Sequence, residues 1–281
     1  MQLYVEHSTV YRYNGAVLLE PHTFRLRPRM STTQRLLLFD LSIEPAPAGT
    51  SECLDQDGNL AMLAWFGAPA NELNVRSRFR VELVRTNPFD YLPDDQASSL
   101  ALWYPEPLAA ALRPYRDASG TAETVRQYAQ NAAGRWHWDL IPFLSGLNGQ
   151  IFSTFRHVVR MEGAPWPSDL TLRMGEGSCR DLAELFCAAC RVMGIAARFV
   201  SGYECASAGR SDATMHAWAE VYLPGAGWRG YDPSRGLAVT DGHVAVAAGL
   251  DAVLAAPITG LYSGWCGSRM DTELRMNVET P

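Results

Sequence analysis

The stretch GEGSCRDLAELF, residues 175–186, sets a cysteine just behind a Gly-x-Gly approach and at the head of a helical pattern. Cys179, Leu182, Ala183, Phe186, Cys190 and Met193 recur at i, i+3, i+4, i+7 spacing, which predicts a helix over 178–194 with one apolar face, ended by Gly194. In the first turn of such a helix the exposed backbone N–H groups and the positive end of the dipole stabilise a thiolate. Gly175 and Gly177 let a ligand approach the backbone closely. Cys187 and Cys190 fall mid-helix among Leu, Phe and Ala, where a thiol behaves as a small hydrophobe. Structural zinc would need a second such pair or a pair of histidines at short spacing, so no metal is expected. Position alone leaves Cys179 either an inert thiol or a nucleophile.

Downstream, AARFVSGYEC, MHAWAEVYLP and GWRGYDP read as three strands. A helix followed by a run of strands points to an α+β domain rather than a series of βαβ crossovers. A hairpin centred on Pro224 puts residue 216 opposite 232, 218 opposite 230 and 220 opposite 228, so that His216 and Asp232 share a face. A thiolate attacks a carbonyl, an imidazolium stabilises it and then protonates the leaving group, and a carboxylate orients the ring. Separately, His216 could be a core histidine and Asp232-Pro233 the start of a turn; together with Cys179 they favour catalysis.

Upstream, LYVEHSTVYRY, HTFRLRP, QRLLLFDLSIEP, LAMLAWF and NELNVRSRFRVELV alternate with a period near two, with Asp57-Gly58 the best hairpin turn among them. Residues 1–86 are therefore expected to form an N-terminal antiparallel β-rich domain. The proline-broken, acidic stretch 87–114 reads as a linker and residues 115–281 as the core. Within that core a helix is predicted over 121–135 with Thr121 as its N-cap, while IFSTFRHVVRM fits a strand or a short helix equally well.

At 281 residues and 47% hydrophobic, the chain can fill one large core or two ordinary ones. A formal charge of −6 supplies no basic field for nucleic acid. All 24 basic residues are arginine, a pattern expected from codon bias; a chain without lysine also offers no side-chain amine to its own acyl chemistry. Six scattered cysteines do not make a disulfide framework. Neither a secretory signal nor a membrane-length apolar run is visible, so the expected location is cytoplasmic with reduced thiols.

The blocks GSCRDLAELF, RFVSGY, HAWAEVYLPGAGWRGYDPSRGL and DGHVAVAAG resemble the bacterial branch of the transglutaminase-like superfamily, and YRYNGAVLLEPHTFRLRPR with DQDGN is similar to the β-rich domain that precedes its core. The resemblance implies a papain-like core in which a Cys-bearing helix packs on an antiparallel sheet, with Cys179 as nucleophile, His216 as general acid and base, and Asp232 as orienting carboxylate. Arg180 and Asp181 match the Cys-Arg-Asp signature of that branch. The papain-type glutamine ahead of the cysteine is missing, since the stretch there is LRMGEG. One oxyanion donor is then the Cys179 N–H, and the second is sought among the indoles of Trp136, Trp138 and Trp166, because related transglutaminases use a tryptophan. Trp218, Tyr203, Tyr231 and His243 are candidates for lining the substrate pocket, with packing roles as the alternative. The polar segment ECASAGRSDATM is expected to form a loop beside the site.

The implied activity is thiol-dependent acyl transfer or hydrolysis at amide bonds of peptide or protein substrates through a Cys thioester, foremost as a transglutaminase-like cysteine protease, with an amine as acceptor where aminolysis replaces hydrolysis. No cofactor is expected, and no calcium, because no acidic ligand loop is present. Two alternatives stand beside it: a non-catalytic peptide-binding module, and acyl transfer in small-molecule or peptide biosynthesis.

Overall fold

The structure, a computed structural model, describes residues 1–92, 99–100, 102–160, 163–205, 209 and 214–279. Its N-terminal part is all β: β1 (Gln2–Leu19), β2 (His22–Phe24), β3 (Gln34–Glu44), β4 (Gly49–Leu54), β5 (Leu60–Trp65) and β6 (Ala70–Leu83). Alternating burial along β1 and β6 places Leu3, Val5, Phe79 and Val81 on one covered face, as a period of two demands. The turn between β4 and β5 contains Asp57-Gly58, and Gly58 adopts a φ of 74° there.

Helices follow: α1 (Leu108–Leu112), α2 (Glu123–Arg135) and α3 (Leu140–Thr154), then the short strand β7 (Arg156–His157), α4 (Ser168–Met174), β8 (Glu176–Gly177) and α5 (Cys179–Val192). After α5 come β9 (Ala197–Glu204), β10 (His216–Leu223), β11 (Gly227–Asp232), β12 (Leu237–Ala238) and β13 (His243–Gly249), which form one five-stranded sheet in the order β12-β11-β10-β9-β13. The fold is thus α+β, with the Cys-bearing helix packed on an antiparallel sheet. Leu182, Leu185, Phe186 and Ala189 of α5 are buried against it, and the Phe186 ring stacks on Tyr231 at 5.6 Å between centroids. Full burial of a side chain of that size stabilises by about 2–3 kcal/mol.

Three local expectations change. α2 starts from Ala122 rather than Thr121, and its first turn carries no side-chain cap; Arg126 instead donates to the carbonyls of Ala118 and Thr121. The undecided stretch IFSTFRHVVRM is divided: residues 151–154 are the last turn of α3, most of which lies ahead of that stretch, and Arg156–His157 form β7. The core face of α3, Leu140, Phe143, Leu144, Leu147 and Ile151, is helical in spacing, but Pro142 and two glycines lower the local propensity. Pro142 sits in the first turn, where no intrahelical N–H is needed, and Gly146 leaves room for the Trp136 indole, which would lie 2.0 Å from a Cβ at that position. Thirdly, the register of β10 and β11 pairs Ala219 with Tyr231 and Glu220 with Gly230, so the hairpin is centred on Gly225 rather than Pro224. That slip preserves parity, and His216 and Asp232 stay on one face as diagonal neighbours.

The chain then returns to its start. β14 (Ile258–Thr259) pairs with β2, β15 (Tyr262–Ser263) with β1, and β16 (Ser268–Glu279) runs antiparallel to β1 from Gln2↔Glu279 to Tyr13↔Ser268. A division at 86 and 115 would group these last strands with the core, whereas their hydrogen bonds belong to the N-terminal sheets. Within the linker stretch, residues 93–98 and 101 lie outside the described residues.

Gly202 on β9 sits where the sheet and the Trp218 ring meet: a Cβ there would lie 2.0 Å from the Val244 carbonyl and 2.6 Å from the indole. Gly202→Ala should therefore lower stability by about 1–3 kcal/mol, the usual cost of overpacking a filled core, measured by urea unfolding. An unchanged midpoint would show that β13 moves aside freely.

Candidate active site

The approach to α5 is built before the helix begins. β7 and β8 pair in parallel, with Arg156 opposite Glu176 and His157 opposite Gly177. Gly175 ends α4 at a φ of 63°, a left-handed conformation that glycine adopts without strain. Ser178 is the N-cap of α5 in a capping box with Asp181: one Asp181 oxygen accepts from the Ser178 N–H at 2.8 Å and from its hydroxyl at 2.7 Å. The other oxygen accepts from the Trp166 backbone N–H at 2.7 Å and from Arg160 at 2.5 Å. Asp181, fully buried, thus ties Arg160 and Trp166 to the helix start. Arg180 pairs with no carboxylate among the described residues but donates to the carbonyls of Arg160 and Gly163.

This scaffold holds Cys179 at the first helical position, partly exposed. Its sulfur is hydrogen-bonded to the side chains of His157 and His216 and to the backbone N–H of Ala217. Burial pushes the thiol pKa up, but those hydrogen bonds and the His216 charge outweigh it and bring it to about 6. Burial alone would likewise lower His216; its hydrogen bonds to Asp232 and Cys179 and the charges on both raise it to about 10. Thiolate beside imidazolium is the resulting state between those values. By contrast, burial pushes the Cys187 thiol up to about 12 and Cys190 well above the ordinary value, so the mid-helix cysteines are inert.

Behind the thiol stands Asp232, fully buried. Its Oδ2 accepts from Nε2 of His216 at 2.6 Å and from Nε2 of His243 at 2.9 Å, and its Oδ1 accepts from the Ser234 N–H at 3.0 Å and hydroxyl at 2.8 Å. Burial would raise this carboxyl, yet the two histidines hold it far below the usual carboxylate range. With Nε2 of His216 committed to Asp232, Nδ1 is the atom left for the thiol. Trp218 packs on both imidazoles, its ring centroid 6.3 Å from His216 and 5.1 Å from His243.

The self-contained Cys-His-Asp core implied by the resemblance is corrected by this geometry. The compact cluster is His216–Asp232–His243, whose ligand-capable atoms all lie within 4.8 Å of one another, and no cysteine belongs to it. Cys179 meets the cluster only through His216. The expected Cys-His-Asp catalytic triad of a cysteine protease therefore gives way to a His-Asp-His cluster with a neighbouring thiol, a cluster that does not itself supply a thioester-forming sulfur. The same residue types could ligate a metal ion, but here the shared carboxylate oxygen and both Nε2 atoms are engaged in direct hydrogen bonds.

The site opens into a cavity of about 500 Å³. One wall is the Cys helix and the 157–160 segment. The opposite wall is formed by β1 and β16, through His7, Thr9, Tyr11, Met270 and Thr272. His7 is buried and bridges the two halves: Nδ1 meets the Tyr203 hydroxyl at 2.9 Å and Nε2 the Thr272 hydroxyl at 3.0 Å. Burial lowers its pKa to about 4, so a neutral imidazole stands there at neutral pH. Of the four residues considered for substrate contact, Tyr203, Trp218 and Tyr231 are buried and His243 sits behind Asp232; none of them lines the cavity. The three indoles considered as oxyanion donors do not line it either. Sequence reasoning missed His157 and the β1 and β16 wall. Of the ECASAGRSDATM loop, residues 206–208 and 210–213 lie outside the described residues; Thr214 and Met215 line the cavity.

A β-rich N-terminal half, a cysteine at a helix start and a histidine–carboxylate pair on the adjoining sheet define the transglutaminase-like class of fold, a class consistent with hydrolase and transferase activity. Residues 3–82 match the bacterial transglutaminase-like N-terminal region and residues 148–233 the transglutaminase-like superfamily, so the chain has the fold of that superfamily in its bacterial form. It is 29% identical over 98% of its length to the uncharacterized protein ML0607 of Mycobacterium leprae, of which the match spans 96%. Among solved structures, a protein from Cytophaga hutchinsonii described as a candidate cysteine protease matches all of this chain and 92% of that one, at 18% identity and a TM-score of 0.71, a likeness of fold. The periplasmic domain of TgpA from Pseudomonas aeruginosa, bound to ethylmercury, matches 82% of this chain and 90% of that one, at 15% identity and a TM-score of 0.37. That domain is periplasmic by its description; the cytoplasmic location expected from sequence is withdrawn, and the fold assigns no compartment. Among the described residues no helix is long and apolar enough to cross a membrane.

Asp232→Asn removes the charge that raises His216, and with it the imidazolium that lowers Cys179. The midpoint of Cys179 alkylation by iodoacetamide should rise from near 6 by at least one pH unit. A midpoint that stays in place would mean that the carboxylate does not govern the thiol.

Proposed function

We propose that this protein acts at amide bonds of peptide or protein substrates, as a hydrolase or as an acyl transferase to an amine, with the Cys179 thiol as attacking group and the His-Asp-His cluster as its proton system. The observation that carries this reading is the thiol hydrogen-bonded to His216, which Asp232 in turn holds at 2.6 Å on the wall of an open cavity. In the first step the sulfur bonds to the carbonyl carbon and the C=O electrons move onto oxygen. Collapse then breaks the C–N bond, and the amine leaves with the proton of His216. The acyl group remains on sulfur. Water or a second amine next attacks that carbon, giving its proton to His216 as the S–C bond breaks, and the resting pair is restored.

The cluster suits both half-reactions. His216 is held in one orientation throughout, and the Asp232 carboxylate balances its charge when protonated. His243 supplies a second donor to the same carboxylate oxygen and so fixes Asp232 itself. The cavity, at about 500 Å³, is in the range of small-ligand sites and accommodates a few residues of extended peptide rather than a folded domain.

Cys179→Ala should abolish turnover, by about 10⁴-fold or more, with an unchanged unfolding midpoint; retained turnover would sink the reading. His216→Ala should slow alkylation of Cys179 near pH 7, read by mass spectrometry, and an unaltered rate would mean that His216 is not the partner. Product analysis on a peptide library with and without an added primary amine separates hydrolysis from transfer.

A further inference from the structure

The chemistry proposed above needs two hydrogen-bond donors for the oxygen that becomes negative when sulfur attacks the carbonyl. One is present by construction. α5 begins at Cys179, which lines the cavity, and the first N–H groups of a helix have no intrahelical partner, so the Cys179 N–H is available at the positive end of the dipole. No indole lines the cavity, which removes the residue type first considered for the second donor.

His157 meets the requirement. It sits on β7, whose backbone is clamped to the approach of the Cys helix: the Arg156 N–H donates to Gly175 O at 2.9 Å and the Val158 N–H to Gly177 O at 3.0 Å. Its ring is exposed, lines the cavity and hydrogen-bonds the Cys179 sulfur. His216 touches the same sulfur but is buried, tethered to Asp232 and needed as the proton carrier. When sulfur bonds to a carbonyl carbon, the carbonyl oxygen lies next to that sulfur, so a donor aimed at the sulfur in the resting site is within reach of the oxygen, on which oxyanion donors act at about 3 Å. An imidazole keeps at least one N–H in either protonation state.

We infer that His157, with the Cys179 N–H, forms the oxyanion hole of this protein, in the place that an indole or a glutamine side chain would otherwise fill. The two histidines at the sulfur thereby divide the work. His216 carries the proton, and His157 holds the charge on oxygen without exchanging it.

This inference rests on the acyl-transfer reading, and two reagents separate the fates of the two. p-Nitrophenyl acetate acylates a thiol through an oxyanion; iodoacetamide alkylates the same thiol without one. Both rates are measured at Cys179 by mass spectrometry at about pH 9.5, above the ordinary thiol value of ~8.5, so that differences in ionisation drop out. In His157→Ala the ratio of acylation to alkylation should fall by about 10²-fold, and His157→Gln, which restores a side-chain N–H, should recover it to within tenfold of the parent. Because His157 is exposed, the unfolding midpoints of the variants should match. A ratio unchanged in His157→Ala overturns the assignment while leaving Cys179 a nucleophile. A parent protein that neither reagent labels at Cys179 overturns the reading beneath it as well.

Discussion

A carboxylate buried to full exclusion of water is tolerable only if its lone pairs are filled, and the core of this molecule is arranged around filling those of Asp232. Four hydrogen bonds converge on it, from His216, His243 and twice from Ser234. They come from three stretches of chain: the start of β10, the start of β13 and the turn after β11. The strand order β12-β11-β10-β9-β13 sets β10 and β13 on either side of β9, and that spacing lets two imidazoles reach one oxygen. Trp218, packed on both rings, fills the volume behind them. The state of the thiol is a downstream result of this arrangement, because the charge that Asp232 places on His216 is what the sulfur senses.

Much of this was legible in the sequence because it is written in short-range patterns. The apolar face of α5, the Gly-x-Gly approach and the alternation of β1, β3, β5 and β6 each need only a local period to be read. Even the pairing of His216 with Asp232 survived a hairpin placed one residue off centre, since parity rather than register decides which face a side chain takes. α3 was hidden because Pro142, Gly146 and Gly149 dilute a helical face that tertiary packing alone makes decisive.

What remained illegible depends on contacts between distant segments. Nothing local marks His157 as a neighbour of Cys179; the two are joined by a parallel pairing only two residues long. His243 shares a carboxylate with His216 through a strand that intervenes in space but not between them in sequence. The cluster is thus His-Asp-His where three residues were expected to include the cysteine, and residues with strong aromatic character, Tyr203 and Tyr231, proved to be core rather than wall. The wall itself comes from β1 and β16, and no sequence period announces that a strand will face a cavity.

The pairing of β16 along β1 carries a consequence for how the molecule is assembled. Their register joins residues as far apart as Gln2 and Glu279, so this contact spans nearly the whole described chain. Loop closure over such a distance is slow in a folding reaction, and during synthesis β16 emerges after every other element described above. Until then β1 presents an open edge along the span that β16 later covers, and the cavity lacks Met270 and Thr272. The Cys179 thiol is therefore enclosed only once β16 has docked, so that closure of this long-range pairing and maturation of the cleft are one event.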